Sequence, residues 1–388
     1  MQSLALSVLS TLIAGAPTTE PAEQVLPTAE QVQASLEKRA FHDLGGIHSG
    51  FAWSADETRM VCLEGVGSDE CRLWEVNLLS GAQRLVCAGP SLRDCTRNLV
   101  GSVRWTEDGK HVVIASHHKM AVILVEDGTM VTARGEFDRG PCLLPDGEHM
   151  LIHGRRYDVQ GDAPADFRKI TIADLLDPGI RISCPKCEVG CWPPVTVRVS
   201  PDGSYLAWLS GSRLGVGRIE AIDQGFGTDV RSYPLEGKGY LAWFPDSRHI
   251  LVSSMYSRSE RDIAIFDAQT GDAKVLLLDR APSLMMESLR ITLSPDGGYA
   301  GIVEKTRTRR QRCFISVVSL RNATLAVGIG SGWGPGWTRW SPRGTFLVSA
   351  VSRRGSDASV RVLTRGSIAH LIADAEQAVK GNADNGHP

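Results

Sequence analysis

Most of this chain consists of short apolar segments separated by polar turns. An apolar segment ends at a Pro-Asp-Gly type of turn and continues directly into a second segment rich in Val, Ile, Leu and Ala. A loop of variable length leads to a third segment, and another tight turn leads to a fourth. In the first turn proline fixes φ, aspartate accepts local backbone hydrogen bonds and glycine takes the left-handed position. Each unit therefore predicts four antiparallel strands.

The unit occurs seven times in the sequence. The copies are FAWSADETRMVCLEG from Phe51, VRWTEDGKHVVIAS from Val103, CLLPDGEHMLIHG from Cys142, VRVSPDGSYLAWLS from Val197, LAWFPDSRHILVSS from Leu241, ITLSPDGGYAGIVE from Ile291 and TRWSPRGTFLVSAV from Thr338. A period of about fifty residues indicates a propeller or a solenoid. No helical period recurs inside the units, which favours the propeller. We predict an all-β propeller of seven four-stranded blades, with six or eight blades as alternatives.

The turns resemble those of the WD40-like propeller repeat found in TolB and in the propeller domains of prolyl-oligopeptidase-type peptidases. The residues that carry this resemblance are Trp53-Ser54, Trp105, Ser200–Gly203, Trp243–Asp246, Ser294–Gly297, Trp340–Pro342 and, in the second turn, Asp267–Gly271. The resemblance covers residues 48–375 and implies a disc of blades around a central channel. Leu144 replaces the serine and Arg343 replaces the aspartate of the pattern, which affects the blade boundaries rather than the fold.

The first residues, 1–16, have features of a secretory signal peptide. The apolar stretch Leu4–Ile13 is followed by small residues that would suit a cleavage site. No Lys or Arg precedes this stretch, and Pro17 would follow the cut directly, so a cytoplasmic tail is the alternative. We expect a periplasmic or secreted protein, with a cytoplasmic location as the alternative.

Two accessory segments flank the predicted propeller. Residues 17–47 contain a linker and a short helix, in which Thr28 and Gln31 form a capping-box pattern. The segment from Ile368 fits either a last outer strand or a helix, with helix favoured, and residues 376–388 are expected to be a tail. The outer strand of the last blade could instead come from the N-terminal segment.

Composition and motifs restrict the function. The formal net charge of -2 gives no general attraction to nucleic acid, and no segment after the N-terminus is apolar and long enough to span a membrane. The sequence lacks a G-x-S-x-G elbow, a phosphate loop, a zincin motif and an EF-hand loop. We therefore expect no catalytic residues, cofactor or metal. The alternative is a lyase or hydrolase at the central channel, for which the candidates are His117, His118, His149 and His153.

Seven of the nine cysteines form three groups along the sequence. The groups are Cys62 with Cys71, Cys87 with Cys95, and Cys184 with Cys187 and Cys191. The first two pairs flank short loops, and an exported protein favours disulfide bonds. The third group resembles half of a zinc knuckle but lacks a second pair of ligands, so a disulfide with one spare thiol is the favoured interpretation.

A propeller collects equivalent loops on the same face. The first and third turns carry aspartates at 56, 108, 127, 146, 177, 202, 246, 267 and 296, which predicts an acidic face. The loops between second and third strands carry a basic set: Arg258, Arg261, Lys305, Arg307, Arg309, Arg310, Arg312, Arg353 and Arg354. This basic set is our candidate binding surface for another protein or an anionic envelope component. The loops hold few aromatic residues for base stacking, so nucleic acid is not expected. We predict a monomeric, non-catalytic propeller scaffold.

Overall fold

The structure consists mainly of antiparallel sheets that follow one another along the chain. A computed structural model describes residues 25–39, 50–65, 71–96, 103–106, 109–115, 119–134, 142–144, 149–153, 167–171, 196–210, 213–224, 231–234, 239–254, 262–277, 286–306, 313–321, 324–332, 336–352 and 358–384. Within these residues the strands form seven sheets, and in each sheet every strand pairs with the next strand of the sequence.

Sheets 1 to 4 contain the first fifteen strands. Sheet 1 has β1 (Phe51–Trp53), β2 (Arg59–Glu64), β3 (Arg72–Asn77) and β4 (Gln83–Ala88). Sheet 2 has β5 (Arg104–Trp105), β6 (His111–Ala115), β7 (Lys119–Leu124) and β8 (Met130–Arg134). Sheet 3 has β9 (Cys142–Leu143), β10 (His149–His153) and β11 (Phe167–Thr171). Sheet 4 has β12 (Thr196–Val199), β13 (Tyr205–Ser210), β14 (Arg213–Arg218) and β15 (Arg231–Pro234).

Sheets 5 to 7 contain the remaining strands. Sheet 5 has β16 (Gly239–Trp243), β17 (His249–Ser254), β18 (Asp262–Asp267) and β19 (Ala273–Leu277). Sheet 6 has β20 (Met286–Leu293), β21 (Tyr299–Thr306), β22 (Cys313–Ser319) and β23 (Thr324–Gly332). Sheet 7 has β24 (Gly336–Trp340), β25 (Phe346–Ser352) and β26 (Ala358–Thr364). The helices are α1 (Ala29–Arg39), α2 (Pro90–Thr96), α3 (Arg365–Asp384) and a 3₁₀ helix (Ile219–Gln224).

The first turns that the structure describes in full have the chemistry that the sequence predicted. In sheet 4, Ser200 Oγ donates to Asp202 Oδ1 at 2.6 Å and accepts from the Tyr205 amide at 2.9 Å. Gly203 has a φ of 74° and its amide donates to the Ser200 carbonyl. A left-handed φ at this position costs an L-residue free energy, which is why glycine recurs there. The Pro-Asp-Gly sequence therefore serves to form the turn between the first two strands.

Tryptophan side chains pack between neighbouring sheets. Trp243 on sheet 5 donates through Nε1 to the Arg198 carbonyl of sheet 4 at 3.0 Å. Trp340 on sheet 7 stacks on Tyr299 of sheet 6, with ring centroids 6.3 Å apart. Such aromatic contacts add to the apolar area that each pair of sheets buries.

The last sheet packs against the first, as a closed ring requires. Trp53 of sheet 1 stacks on Phe346 of sheet 7 with ring centroids 5.8 Å apart. The turns of the same two sheets are also joined, because the Arg343 amide donates to Glu57 Oε1 at 2.6 Å. Glu57 has a φ of 61° at the position where sheet 4 has Gly203. Glu57 thus has a strained backbone conformation at the position where its side chain links the first and last sheets.

Helix α1 covers the junction between these two sheets. Gln31 Nε2 donates to the Leu79 carbonyl of sheet 1 at 2.8 Å. Gln33 donates to the Val360 carbonyl at 2.8 Å and accepts from the Val362 amide at 2.9 Å, both on the outer edge of β26. A side-chain amide therefore satisfies edge groups that a fourth strand would otherwise pair. The N-terminal segment does contribute to sheet 7, but in the described residues as a helix rather than as the strand considered above.

The capping box of α1 is present as predicted. The Thr28 amide donates to Gln31 Oε1 at 2.7 Å, and the Gln31 amide donates to Thr28 Oγ1 at 3.2 Å. Val32 is fully buried in a cluster that also contains Phe51 of sheet 1 and Val360 of sheet 7. The helix is therefore part of the core at this junction.

The C-terminal segment is helical rather than an outer strand. Helix α3 buries Ile368 and Ile372 against sheets 6 and 7 and extends to Asp384, beyond the boundary at 375 expected from the sequence. Arg365 at its start pairs with Asp296 in the first turn of sheet 6. Among the helices that the structure describes, none is long and apolar enough to span a membrane.

Candidate functional site

The basic loop set lies almost entirely outside the described residues. Only Lys305 is described, on β21, where its backbone is opposite Glu287 and Cys313. The other members, Arg258, Arg261, Arg307, Arg309, Arg310, Arg312, Arg353 and Arg354, lie outside the part of the chain that the structure describes. Their role stays a prediction.

The aspartates of the predicted acidic face serve their own turns wherever they are described. Burial alone would raise the pKa of Asp202, but hydrogen bonds from Ser200, Ser204 and Ser247 outweigh it and hold the pKa below its usual value. Asp296 likewise accepts from Ser294 Oγ at 2.6 Å. These carboxylates stabilise turns, so the face is less available to partners than its aspartate content suggests. The aspartates at 108, 146 and 177 lie outside the described residues.

Asp267 shows the strongest effect among these carboxylates. Arg248 Nη2 lies 2.6 Å from Asp267 Oδ2, and the amides of Gln269 and Thr270 donate to Oδ1 at 2.8 and 3.1 Å. The hydrogen bond from Arg248 is the main cause that lowers the pKa of Asp267 to about 2. The folded state therefore favours the ionised carboxylate.

The variant Asp267→Asn is expected to lower the free energy of unfolding by about 1 kcal/mol at neutral pH, since Arg248 is partly exposed. The depressed pKa makes the wild-type contribution complete above the unfolded value of 3.8 and lost as the pH falls through about 2. Urea unfolding should therefore show the wild-type and variant curves converging between these pH values. Asp272→Asn in the same turn is the control and should change stability little. A difference that is independent of pH would contradict this account.

The two predicted local disulfides are absent from the structure, which has Cys62, Cys71, Cys87 and Cys95 as thiols. Cys62 is opposite Trp74 in the β2–β3 register and belongs to the core cluster between sheets 1 and 7. Cys71 belongs to the cluster between sheets 1 and 2. Because alternate side chains of a strand point to opposite faces, the sheet itself separates Cys62 from Cys71.

Cys87 and Cys95 are free thiols near the same core cluster, so the structure contains no disulfide between them. Burial, reinforced by neighbouring cysteines, raises the pKa of Cys87 to about 11, and burial raises the pKa of Cys95 to about 11. Such thiols stay protonated at neutral pH and are poor nucleophiles. Cys313 is buried in the core, 2% exposed. Cys184, Cys187 and Cys191 lie outside the described residues.

The histidines considered for an enzyme site fall into two pairs. His149 and His153 lie at the two ends of β10, and His117 and His118 are outside the described residues. In the described ranges no group of three or more His, Cys, Asp and Glu side chains could hold a metal ion.

A cleft lies between sheets 1 and 2, close to the turns. It has a volume of about 510 Å³ and is lined by Arg59, Glu75, Arg84, Gly109, Lys110, Leu124, Val125 and Glu126. Arg59 Nη1 lies 3.1 Å from Glu75 Oε1, and Arg84 Nη2 lies 2.6 Å from Glu75 Oε2. The Glu75 side chain is only 13% exposed. Its charge is balanced by Arg59 and Arg84 inside the cleft.

Arg84 also joins the two sheets. Its Nη1 donates to the Glu126 carbonyl and its Nη2 to the Val125 carbonyl, both at 2.7 Å, in the turn between β7 and β8. Arg231 on sheet 4 donates to the equivalent carbonyls of sheet 5, those of Ala268 and Gln269. The role of Arg84 is therefore a structural feature of this repeat.

Arg59 and Glu75 of the cleft are departures from the repeat. In sheet 4 the positions of Arg59 and Glu75 are occupied by Tyr205 and Val216, by the strand registers. Tyr205 packs on Trp243 of the next sheet, with ring centroids 6.4 Å apart. In sheet 1 the Arg59 guanidinium lies over the Trp105 ring instead, 5.0 Å from its centroid. In the alignment of the seven copies, Tyr or Phe occurs at the position of Arg59 in three copies. The departure at Arg59 was therefore visible in the sequence, but sequence reasoning missed it.

Arg339 in sheet 7 is a second residue that sequence reasoning missed. Arg339 on β24 donates through Nη1 to the carbonyls of Phe51 in β1 and of Val103, just before β5, at 2.7 and 3.4 Å. Burial, with a contribution from Arg104, lowers the pKa of Arg339 to about 9, so it is charged at neutral pH. Arg339 thus joins three sheets at the inner edge of the propeller.

Comparisons with known proteins support the fold. No protein-family model matches the chain. Coronin-7 from Bos taurus is 34% identical over 119 residues, which cover 28% of this chain and 12% of Coronin-7. The match spans only about an eighth of the length of that relative, so it says nothing of the activity or partners of this protein.

Solved structures match over most of the chain. A chain of the mitotic checkpoint complex matches 81% of this chain and 88% of its own length, with a TM-score of 0.51 and 15% identity. A structure from a study of two prolyl endopeptidases matches 88% of this chain and 53% of its own, with a TM-score of 0.51 and 13% identity. At these identities the likeness concerns the fold alone. The chain has the β-propeller fold that the turns predicted, while the number of blades stays a prediction.

Proposed function

We propose that this protein is a non-catalytic propeller scaffold that binds an acidic protein surface through the basic loop set. The supporting observation is the position of the strands that flank these loops. The chain leaves β17 at Ser254, β21 at Thr306 and β25 at Ser352, and returns as the third strand of the same sheet. The segments 255–261, 307–312 and 353–357, together with Lys305, contain all nine basic residues of the set.

These three segments start from neighbouring sheets. Strand β16 contacts β20, and β20 contacts β24, so sheets 5, 6 and 7 are consecutive. Nine like charges on one edge of three adjacent sheets would create a local positive field despite the net charge of -2. Such a field steers and orients an acidic partner more than it adds raw affinity.

The location and oligomeric state belong to the same proposal. A periplasmic or secreted monomer would meet anionic envelope components as well as proteins, so an envelope polymer is the competing partner. A lyase or hydrolase acting at the central channel is the competing function. Turnover of a substrate by the purified protein would replace the scaffold proposal.

The double charge reversal Arg309→Glu with Arg310→Glu is expected to reduce recovery of the bound protein partner from native extract about tenfold. The control is Lys274→Glu with Arg321→Glu, two exposed residues beside the turns at the opposite end of sheets 5 and 6, which changes the net charge equally. Recovery by the wild type should also fall with added salt, because exposed charges are screened. Equal recovery by the two double variants would rule out the basic loop set as the binding surface.

A further inference from the structure

We propose that the cleft between sheets 1 and 2 binds a small ligand through a phosphate or carboxylate group, with Arg59 as the main contact. This site is separate from the basic loop set, because the cleft opens among the first and third turns. The loops between second and third strands leave the opposite ends of the strands.

The Arg59 guanidinium is fixed in place without a ligand. Its plane lies over the Trp105 ring, and its Nη1 is held by Glu75 at 3.1 Å. Its Nη2 is directed toward Gly109, since a Cβ at that residue would lie 3.5 Å from this nitrogen. A guanidinium that is oriented beforehand loses little conformational freedom when an oxyanion binds.

Among the described residues, the one beside this nitrogen is a glycine, Gly109. Gly109 has a φ of 64°, a conformation that favours glycine, and it has no side chain to cover Arg59. Lys110 is exposed beside it and adds a second positive charge to the lining. The lining carries three positive side chains and two negative ones, of which Glu75 is held between Arg59 and Arg84. The lining thus carries one more positive than negative side chain.

The size of the cleft limits the ligand. A volume of about 510 Å³ lies in the range of small-molecule sites. Leu124 is the half-buried apolar residue of the lining. A phosphate or carboxylate on a body the size of one sugar fits this combination.

The repeat shows that the fold does not need these charges. Tyr205 and Val216 fill the same positions in sheet 4, where the aromatic ring closes the gap against Trp243. Glu75 is only 13% exposed, and its partial desolvation carries a cost that a valine would avoid. The charged pair is therefore explained better by a ligand than by stability.

The double variant Arg59→Tyr with Glu75→Val restores the sheet 4 arrangement and is the direct test. Titration calorimetry would use inorganic phosphate, glucose 6-phosphate and gluconate as probes, with glucose as the uncharged control. We expect the wild type to bind at least one anionic probe with a Kd of about 1 mM. The double variant should bind at least tenfold more weakly, whereas Arg218→Tyr at an exposed site should bind as the wild type does. The preference between glucose 6-phosphate and gluconate identifies the anion.

The single variant Arg59→Gln covers the case in which the double variant fails to fold. It should show the same loss of binding with Glu75 and Arg84 still paired. Unchanged binding in a folded Arg59 variant, or no preference of the wild type for the anions over glucose, would overturn the proposal. Either result leaves the basic loop set untouched, because the two surfaces share no residue.

Discussion

Replacing Gly128 by alanine is expected to lower the free energy of unfolding by about 3 kcal/mol, the largest effect of a single methyl group that the structure indicates. Gly128 has a φ of 77°, and a Cβ there would lie 2.0 Å from the carbonyl oxygen of Val86 on the neighbouring sheet. A backbone atom of a paired strand cannot shift without separating sheets 1 and 2. Equilibrium unfolding in urea measures the loss.

Gly81 provides a matched control for Gly128. It occupies the same turn position in sheet 1 and has a φ of 70°, but a Cβ there would meet nothing within 4 Å. Gly81→Ala should therefore cost only the left-handed strain, about 1 kcal/mol. Equal losses for the two alanine variants would show that the contact with Val86 does not decide the effect.

The second large effect is expected at the junction that α1 covers. The variant Val32→Asp places a carboxylate in the core cluster that contains Phe51 and Val360. If the helix detaches, the loss of stability cannot exceed the free energy with which the helix docks. That free energy comes from the burial of Val32 and the hydrogen bonds of Gln33. We estimate this loss at about 3 kcal/mol. Urea unfolding measures the loss, and limited proteolysis should cleave near α1 in the variant sooner than in the wild type.

Val25 is the control for Val32. It lies before the same helix and is 71% exposed, so Val25→Asp should change stability by less than about 0.5 kcal/mol. An equally stable Val32→Asp variant would mean that sheet 7 holds to sheet 1 without the helix. The contacts from Glu57 to Arg343 and from Arg339 to Phe51 would then be sufficient for closure.

The space beside Gly81 and the position of α1 both result from the way sheet 1 meets sheet 7. In sheet 2, Gly128 is crowded by the outer strand of sheet 1. The neighbour of sheet 1 is sheet 7, whose described strands end at β26, and Gln31 of α1 lies against the Leu79 carbonyl there instead. A helix that replaces a strand leaves more room beside the turn. The repeat is therefore regular where four-stranded sheets meet and irregular where the ring closes.

Sequence reasoning succeeded where structure depends on neighbouring residues. The Ser-Pro-Asp-Gly turns, the strand pairs on either side and the capping box of Thr28 and Gln31 depend on contacts between residues two to five positions apart. Reasoning failed for the disulfides, because short spacing suggested proximity for Cys62 and Cys71. The register instead places Trp74 opposite Cys62, with the two cysteines in different core clusters.

The sequence by itself determined the repeating unit, its turns and the propeller class, because these depend on local dihedral preferences and on alternation repeated seven times. Only the tertiary structure decided how the two ends meet and which departures from the repeat act together. Gln33 meets Val360 across 327 positions, and Arg339 meets Phe51 across 288. Arg59 and Glu75 form a pair only because β2 and β3 align them on one face toward Trp105. Contacts between distant positions follow from the packing of whole sheets, which no local pattern specifies.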